Sequence, residues 1–204
     1  MMDTVNIIVM GKSGAGKSTL INTVLGELLA PTGVGQAVTK ENHLYTKKIL
    51  LPRKGDGFTD GQYSFVLKKF NLYDTVGIEI DPAVTRTALY GIRRAIDKIQ
   101  GQDIRNEFSL VWFCVNYRSN RFEPFEIEII RSLAAEYKIR VLLVLTQCYA
   151  DTQAEFERHA RLELPEIPIV RVLAKELRLR NDVIRAHGIT ELLQMSVWSV
   201  KGTK

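Results

Sequence analysis

Cysteine is scarce in this chain of 204 residues: Cys114 lies inside an apolar run, Cys148 just after another, and neither has the spacing of a metal site. So few thiols exclude a disulfide-stapled scaffold, and both are expected to be buried and reduced. The three histidines, His43, His159 and His187, form no cluster, which gives little basis for a metal centre built on imidazole. No apolar run approaches the roughly 20 residues that a membrane helix needs, and a strand-like segment stands where a signal peptide would be. The chain therefore reads as cytoplasmic. Long runs of one charge are missing too. The net charge of +5 is spread along the chain, so it permits RNA, the ribosome or an anionic membrane face as a partner without requiring one. No repeat and no linker interrupts the sequence. With 46% hydrophobic and 25% charged residues, the composition fits one globular domain, residues 1–204; an end shortly after a helix also fits a domain cut from a longer protein.

What is present begins at the N-terminus. The apolar run Val5–Met10 leads into Gly11-Lys12-Ser13-Gly14-Ala15-Gly16-Lys17-Ser18-Thr19, and an apolar 3.6-residue period follows from Leu20. Strand, glycine loop and helix in that order, with the spacing Gly-x-x-x-x-Gly-Lys-Ser, form the phosphate-binding P-loop pattern. Gly11, Gly14 and Gly16 let the backbone curl so that N–H groups from Ser13 to Thr19 converge on a phosphate, and the helix adds the positive end of its dipole. Lys17 would reach the β- and γ-phosphates as a point charge without core contacts. The Ser18 hydroxyl would hold Mg²⁺, a cation that prefers oxygen ligands.

The rest of the chain alternates. A helix is predicted over Lys17–Leu29, then a strand pair over His43–Leu51 and Tyr63–Tyr73, joined by a turn rich in glycine and aspartate. Asp81-Pro82 opens a helix that runs to about Gln100. Strands over Leu110–Val115, Arg140–Thr146 and Ile169–Leu173 alternate with helices over Pro124–Tyr137, Thr152–Arg161 and Thr190–Val200. The uniformly apolar strands are those of a parallel sheet covered on both faces. The fold class is α/β: a three-layer P-loop NTPase arrangement, its six-stranded sheet mostly parallel with one antiparallel edge strand and helices on both faces.

Asp74-Thr75-Val76-Gly77 closes a strand beside the P-loop strand. An aspartate there can reach Mg²⁺ through water, and the Gly77 N–H can contact a γ-phosphate. On these residues, with Leu20-Ile21-Asn22 and Thr32-Gly33-Val34-Gly35-Gln36-Ala37-Val38-Thr39, the chain resembles P-loop GTPases of the translation-factor-related class, among them the Era-like, septin-related and interferon-inducible G domains. The resemblance implies GTP/GDP and Mg²⁺ as ligands, Ser18, Thr39 and Asp74 around the metal, and Lys17, Thr39 and Gly77 around the reacting phosphate. It also implies pairing with a second copy across the nucleotide face.

Three positions depart from that pattern. Ile78 stands where Ras-type proteins carry a water-orienting glutamine, and Gly14 stands where potassium-using Era-like enzymes carry asparagine. The base-reading motif Asn/Thr-Lys-x-Asp appears as Thr146-Gln147-Cys148-Tyr149. Gln147 can lie along a base ring, but Tyr149 supplies no two-oxygen acceptor. Asp151 is either the N-cap of the following helix or a displaced base-reading carboxylate. The Ser-Ala-Lys element appears as Leu173-Ala174-Lys175, whose Ala174 N–H could contact the base. The resulting expectation is a slowly hydrolysing molecular-switch GTPase, stimulated by self-association or a partner. Two other readings stay open: a nucleotide-dependent scaffold with negligible turnover, and a P-loop ATPase or kinase of relaxed base specificity.

Overall fold

A computed structural model describes residues 4–30, 43–52, 65–75, 110–119, 121–136, 139–149 and 154–201. The predicted helix from Asp81, the turn between the paired strands, and the candidate residues Thr39, Gly77 and Asp151 lie outside them, as does Ile78. The elements in chain order are β1 (Thr4–Met10), α1 (Lys17–Leu25), β2 (His43–Pro52), β3 (Phe65–Asp74), β4 (Leu110–Asn116), a 3₁₀ turn (Tyr117–Ser119), α2 (Pro124–Ala135), β5 (Val141–Thr146), α3 (Ala154–Glu163), β6 (Ile169–Val172), β7 (Leu177–Arg178), β8 (Val183–Ile184) and α4 (Ile189–Lys201).

Six strands form the main sheet in the order β2-β3-β1-β4-β5-β6. All neighbouring pairs are parallel except β2 with β3, so the antiparallel strand sits at an edge. This is the expected architecture. The burial pattern explains it, since every described residue of β4 but Asn116, and all of β5, is buried, whereas β2 alternates between exposed and partly covered positions as a half-solvated edge does.

Successive side chains of a strand point to opposite faces, and the core divides accordingly. Val5, Ile7 and Val9 of β1 and Trp112 and Cys114 of β4 pack with Leu20 and Ile21 of α1 and Leu192 and Leu193 of α4. Ile8, Met10, Phe113 and Leu143 pack with Ile127 and Ile130 of α2 and Phe156 and Ala160 of α3 on the other face. Both cysteines are free and buried.

Helix α1 stops at Leu25, four residues short of the predicted end. Gly26 takes a left-handed φ of 69°; its N–H donates to the Thr23 carbonyl and the Glu27 N–H to the Asn22 carbonyl, both at 3.3 Å. That is a Schellman cap, which the glycine permits at no steric cost. The Asn22 side chain then holds the next segment, accepting from the Leu29 and Ala30 N–H groups and donating to the Ala30 carbonyl. The described part of helix α3 spans Ala154–Glu163 and ends two residues beyond the predicted Arg161. The β7–β8 hairpin is unanticipated, because strands of two residues are too short to show alternation.

One buried polar pair ties α4 to the centre of the sheet. The Trp112 indole N–H donates to Ser196 Oγ at 2.9 Å, and Ser196 Oγ donates to the Leu192 carbonyl at 2.7 Å. Both side chains are fully buried. Ser196→Ala would strand the indole donor, at a cost of about 1–3 kcal/mol. Urea denaturation should show that loss in the midpoint with an unchanged slope.

Candidate functional site

The strands β1, β3, β4 and β5 run parallel, so their carboxyl ends open at one edge of the sheet. Ligands of open α/β sheets bind at that edge. The glycine loop leaves β1 there and passes so close to β4 that a Cβ on Gly11 would stand 2.2 Å from the Cys114 carbonyl oxygen. Gly11, Gly14 and Gly16 have φ values of 138°, 78° and 82°, a region L side chains rarely adopt. Ser13 and Gly14 face solvent, and Ala15 is buried. The Ala15 N–H closes the turn on the Lys12 carbonyl at 3.1 Å.

Lys17 differs from the expected free point charge, being only 6% exposed. Its ammonium donates to the Gly11 and Lys12 carbonyls at 2.9 and 3.0 Å. Burial pulls its pKa below the ordinary lysine range, while the neighbouring Cys114 and Asp74 work the other way. Burial likewise pushes the Cys114 thiol up to about 12, which makes it an inert core residue. The second lysine of the loop, Lys12, is directed elsewhere: it pairs with Glu123 at 3.4 Å and Glu126 at 3.7 Å and lies 5.0 Å from the centre of the Phe125 ring. Glu126 in turn accepts the Glu123 N–H at the start of α2.

Asp74 is fully buried at the end of β3, in register with Val9 of β1. The Ser18 hydroxyl lies 3.5 Å from its Oδ2. A hydroxyl and a carboxylate this close are a hard oxygen pair of the kind that holds Mg²⁺, directly or through its waters. Among the described residues there is no group of three or more histidines, cysteines and acids that could hold a metal ion.

Beside the loop lies a cleft of about 220 Å³. It is lined by Gly16 and Thr19, by Thr146, Gln147 and Tyr149 after β5, and by Ala174 and Lys175 after β6. The structure thus gathers all the base-site candidates it describes. The Thr146 hydroxyl donates to the Ala15 carbonyl at 2.8 Å, which joins the glycine loop to β5. Gln147 is held at a φ of 58°, a left-handed conformation that costs a residue with a Cβ about 1–2 kcal/mol. Ala174 accepts the Thr23 hydroxyl at 3.1 Å, which fixes this loop on α1. Three residues in the cleft escaped the sequence reading, Arg118, Glu176 and Leu177. Arg118 stacks on Tyr149 with 5.4 Å from guanidinium carbon to ring centre. Only a chain order of strands would have hinted at it, since it lies in the turn after β4.

The sequence model of the family described as 50S ribosome-binding GTPase matches residues 6–147. The chain belongs to that family. It is therefore a GTPase-family domain. Among solved structures it resembles a variant of Era from Aquifex aeolicus bound to GDP·AlF4⁻, with a TM-score of 0.68 and 16% identity over all of this chain and 59% of that one. It also resembles Toc33 from Arabidopsis thaliana in complex with Mg²⁺ and GMPPNP, with a TM-score of 0.62 and 15% identity over 99% of this chain and 86% of that one. For Toc33 and psToc159 dimerization is described as important for GTPase activity. The septin GTPase domain of Chlamydomonas reinhardtii has a TM-score of 0.65 at 16% identity over 100% and 96% of the two chains. At such identities the likeness is one of fold. The chain spans 59% of the length of the Era structure, and no curated protein matches it in sequence. Among the described residues no helix is long and apolar enough to cross a membrane.

The glycine geometry gives a graded test. Gly14→Ala meets nothing within 4 Å and should lose only the roughly 1–2 kcal/mol of the left-handed backbone. Gly11→Ala must displace the β4 backbone, so we expect a loss well beyond that, visible as a far lower urea midpoint.

Proposed function

We propose that residues 1–204 form a single G domain that binds GTP and GDP with Mg²⁺, hydrolyses GTP slowly and acts in the cytoplasm as a molecular switch. The observation that carries this reading is the convergence of Lys17, Ser18 and Asp74 beside a cleft walled by Thr146, Gln147 and Ala174. In it, the N–H groups of Ser13 to Thr19 cradle the phosphates, and Lys17 exchanges its two loop carbonyls for phosphate oxygens, which are charged and therefore stronger acceptors. Ser18 and Asp74 hold Mg²⁺, which when bound draws charge off the β- and γ-phosphate oxygens. Thr39 would complete the metal's ligands and Gly77 would sense the γ-phosphate, each releasing its segment after hydrolysis. Gln147 lies along the base, with Thr146, Asp151, Ala174 and Lys175 around it.

Ile78 cannot hydrogen-bond a water. Intrinsic turnover by the isolated chain should thus be of the order of the unassisted Ras rate, roughly 10⁻⁴ s⁻¹. A group supplied in trans would raise it, and the dimerization described for Toc33 and psToc159 supports a second copy as the source. An RNA, ribosomal or membrane-surface partner is the other route to stimulation, consistent with the net positive charge.

Two measurements test the reading. In calorimetry, Lys17→Ala should lose most GDP and GTP affinity while remaining folded, because the variant removes a buried cation and two hydrogen bonds from an otherwise intact loop; undiminished affinity would sink the phosphate site. Specific GTPase activity should rise with protein concentration and respond equally to potassium and sodium. A fast rate independent of concentration would instead reveal a catalytic group within one chain.

A further inference from the structure

We propose that Glu176 reads the guanine base in place of the aspartate that the family motif would put at Tyr149. This rests on the GTPase reading and names the residue that gives it specificity. The guanine edge offers two donors side by side, N1–H and the N2 amine, and a carboxylate accepts both; adenine has an acceptor at N1 and no amine at position 2. A base entering the cleft covers a carboxylate that is half exposed beforehand, and adenine, which lacks both donors, would leave it covered and unpaired. Among the described residues lining the cleft, Glu176 is the one carboxylate. The other polar groups there cannot do its work. Arg118 and Lys175 have donors only, Tyr149 has a single hydroxyl, and the Gln147 amide presents one acceptor oxygen beside a donor that guanine's amine would oppose.

The fold places Glu176 deliberately. It stands directly before β7, and the β7–β8 hairpin pins the chain there through the Leu177–Ile184 pairing and the Leu179 N–H to Asp182 carbonyl bond of 2.8 Å. On the near side, the Ala174 carbonyl is anchored on Thr23 of α1. Two fixed points therefore bracket the residue within the loop that lines the cleft together with Gln147. Its Oε1 accepts from Arg178 at 2.9–3.0 Å, but the Arg178 side chain is 80% exposed and that of Glu176 50%. An ion pair this open contributes little, so the carboxylate can leave Arg178 and turn both oxygens to the base.

Xanthine provides a selective probe, because it keeps N1–H and replaces the guanine amine with a carbonyl. An amide in place of the carboxylate accepts from N1–H and donates to that carbonyl. Calorimetry on the whole chain should therefore compare GDP, xanthosine diphosphate and ADP on the parent, on Glu176→Gln, on Asp151→Asn and on Arg178→Gln. We expect Glu176→Gln to weaken GDP by roughly 10- to 100-fold, the loss of charge-assisted bonds, and to strengthen xanthosine diphosphate, with Arg178→Gln keeping the guanine preference. A switch toward xanthine in Asp151→Asn alone would overturn the assignment in favour of Asp151. No change of preference in either variant would overturn it in favour of backbone readout. Equal affinity of the parent for ADP and GDP would fail the GTPase reading itself, a result distinguishable from the other two.

Discussion

The site depends on how closely the glycine loop approaches the carboxyl ends of β4 and β5. A Cβ at Gly11 has no room beside the Cys114 carbonyl, and Gly16 passes within 3.3 Å of Thr146 Oγ1 by the same measure. The Thr146 hydroxyl then closes the gap with its bond to Ala15. Because the central strands are parallel and buried on both faces, neither β4 nor β5 can yield to a bulkier loop without disturbing the packing above and below it. The loop's curvature, and with it the direction of its N–H groups, is imposed from the sheet side.

That closeness also creates the electrostatics. A lysine and an aspartate are brought into a region with almost no water, and such charges persist only when they are paired or hydrogen-bonded. Lys17 is covered by two carbonyls of its own loop, and Asp74 receives the Ser18 hydroxyl from α1. Lys12 leaves the loop for the acidic start of α2, so that one of the two loop lysines braces the loop and the other stays inside its curve. A buried ammonium with its pKa pulled down by desolvation is a strong electrostatic partner for an arriving polyanion, since the cost of removing it from water has already been met in folding.

Much of this was legible beforehand. The strand, loop and first helix follow from glycine spacing between an apolar run and an apolar 3.6-residue period, and the uniformly apolar β4 and β5 announce central parallel strands. Helix ends were less legible: the first helix reads as running to Leu29, but Gly26 ends α1 by a left-handed cap. The Lys17 of the sequence reading, a point charge without core contacts, is buried in the structure, because the glycine pattern places the residue on the loop and says nothing of what else surrounds it.

The chain's own order of residues determined which groups the glycine loop carries, since all of them lie within nine consecutive positions from Gly11 to Thr19, while the sheet set the curve on which they stand. The base cleft was decided by tertiary structure alone. Its walls come from residues near 118, 147 and 175, which meet beside Gly16 and Thr19 only because β4, β5 and β6 end at the same edge of the sheet. Arg118 sits in a short turn and Glu176 before a two-residue strand, so neither carries a periodicity that local sequence could reveal. Their places in the cleft arise from segments brought together over more than a hundred positions, and at that range strand order, not local pattern, decides which segments meet.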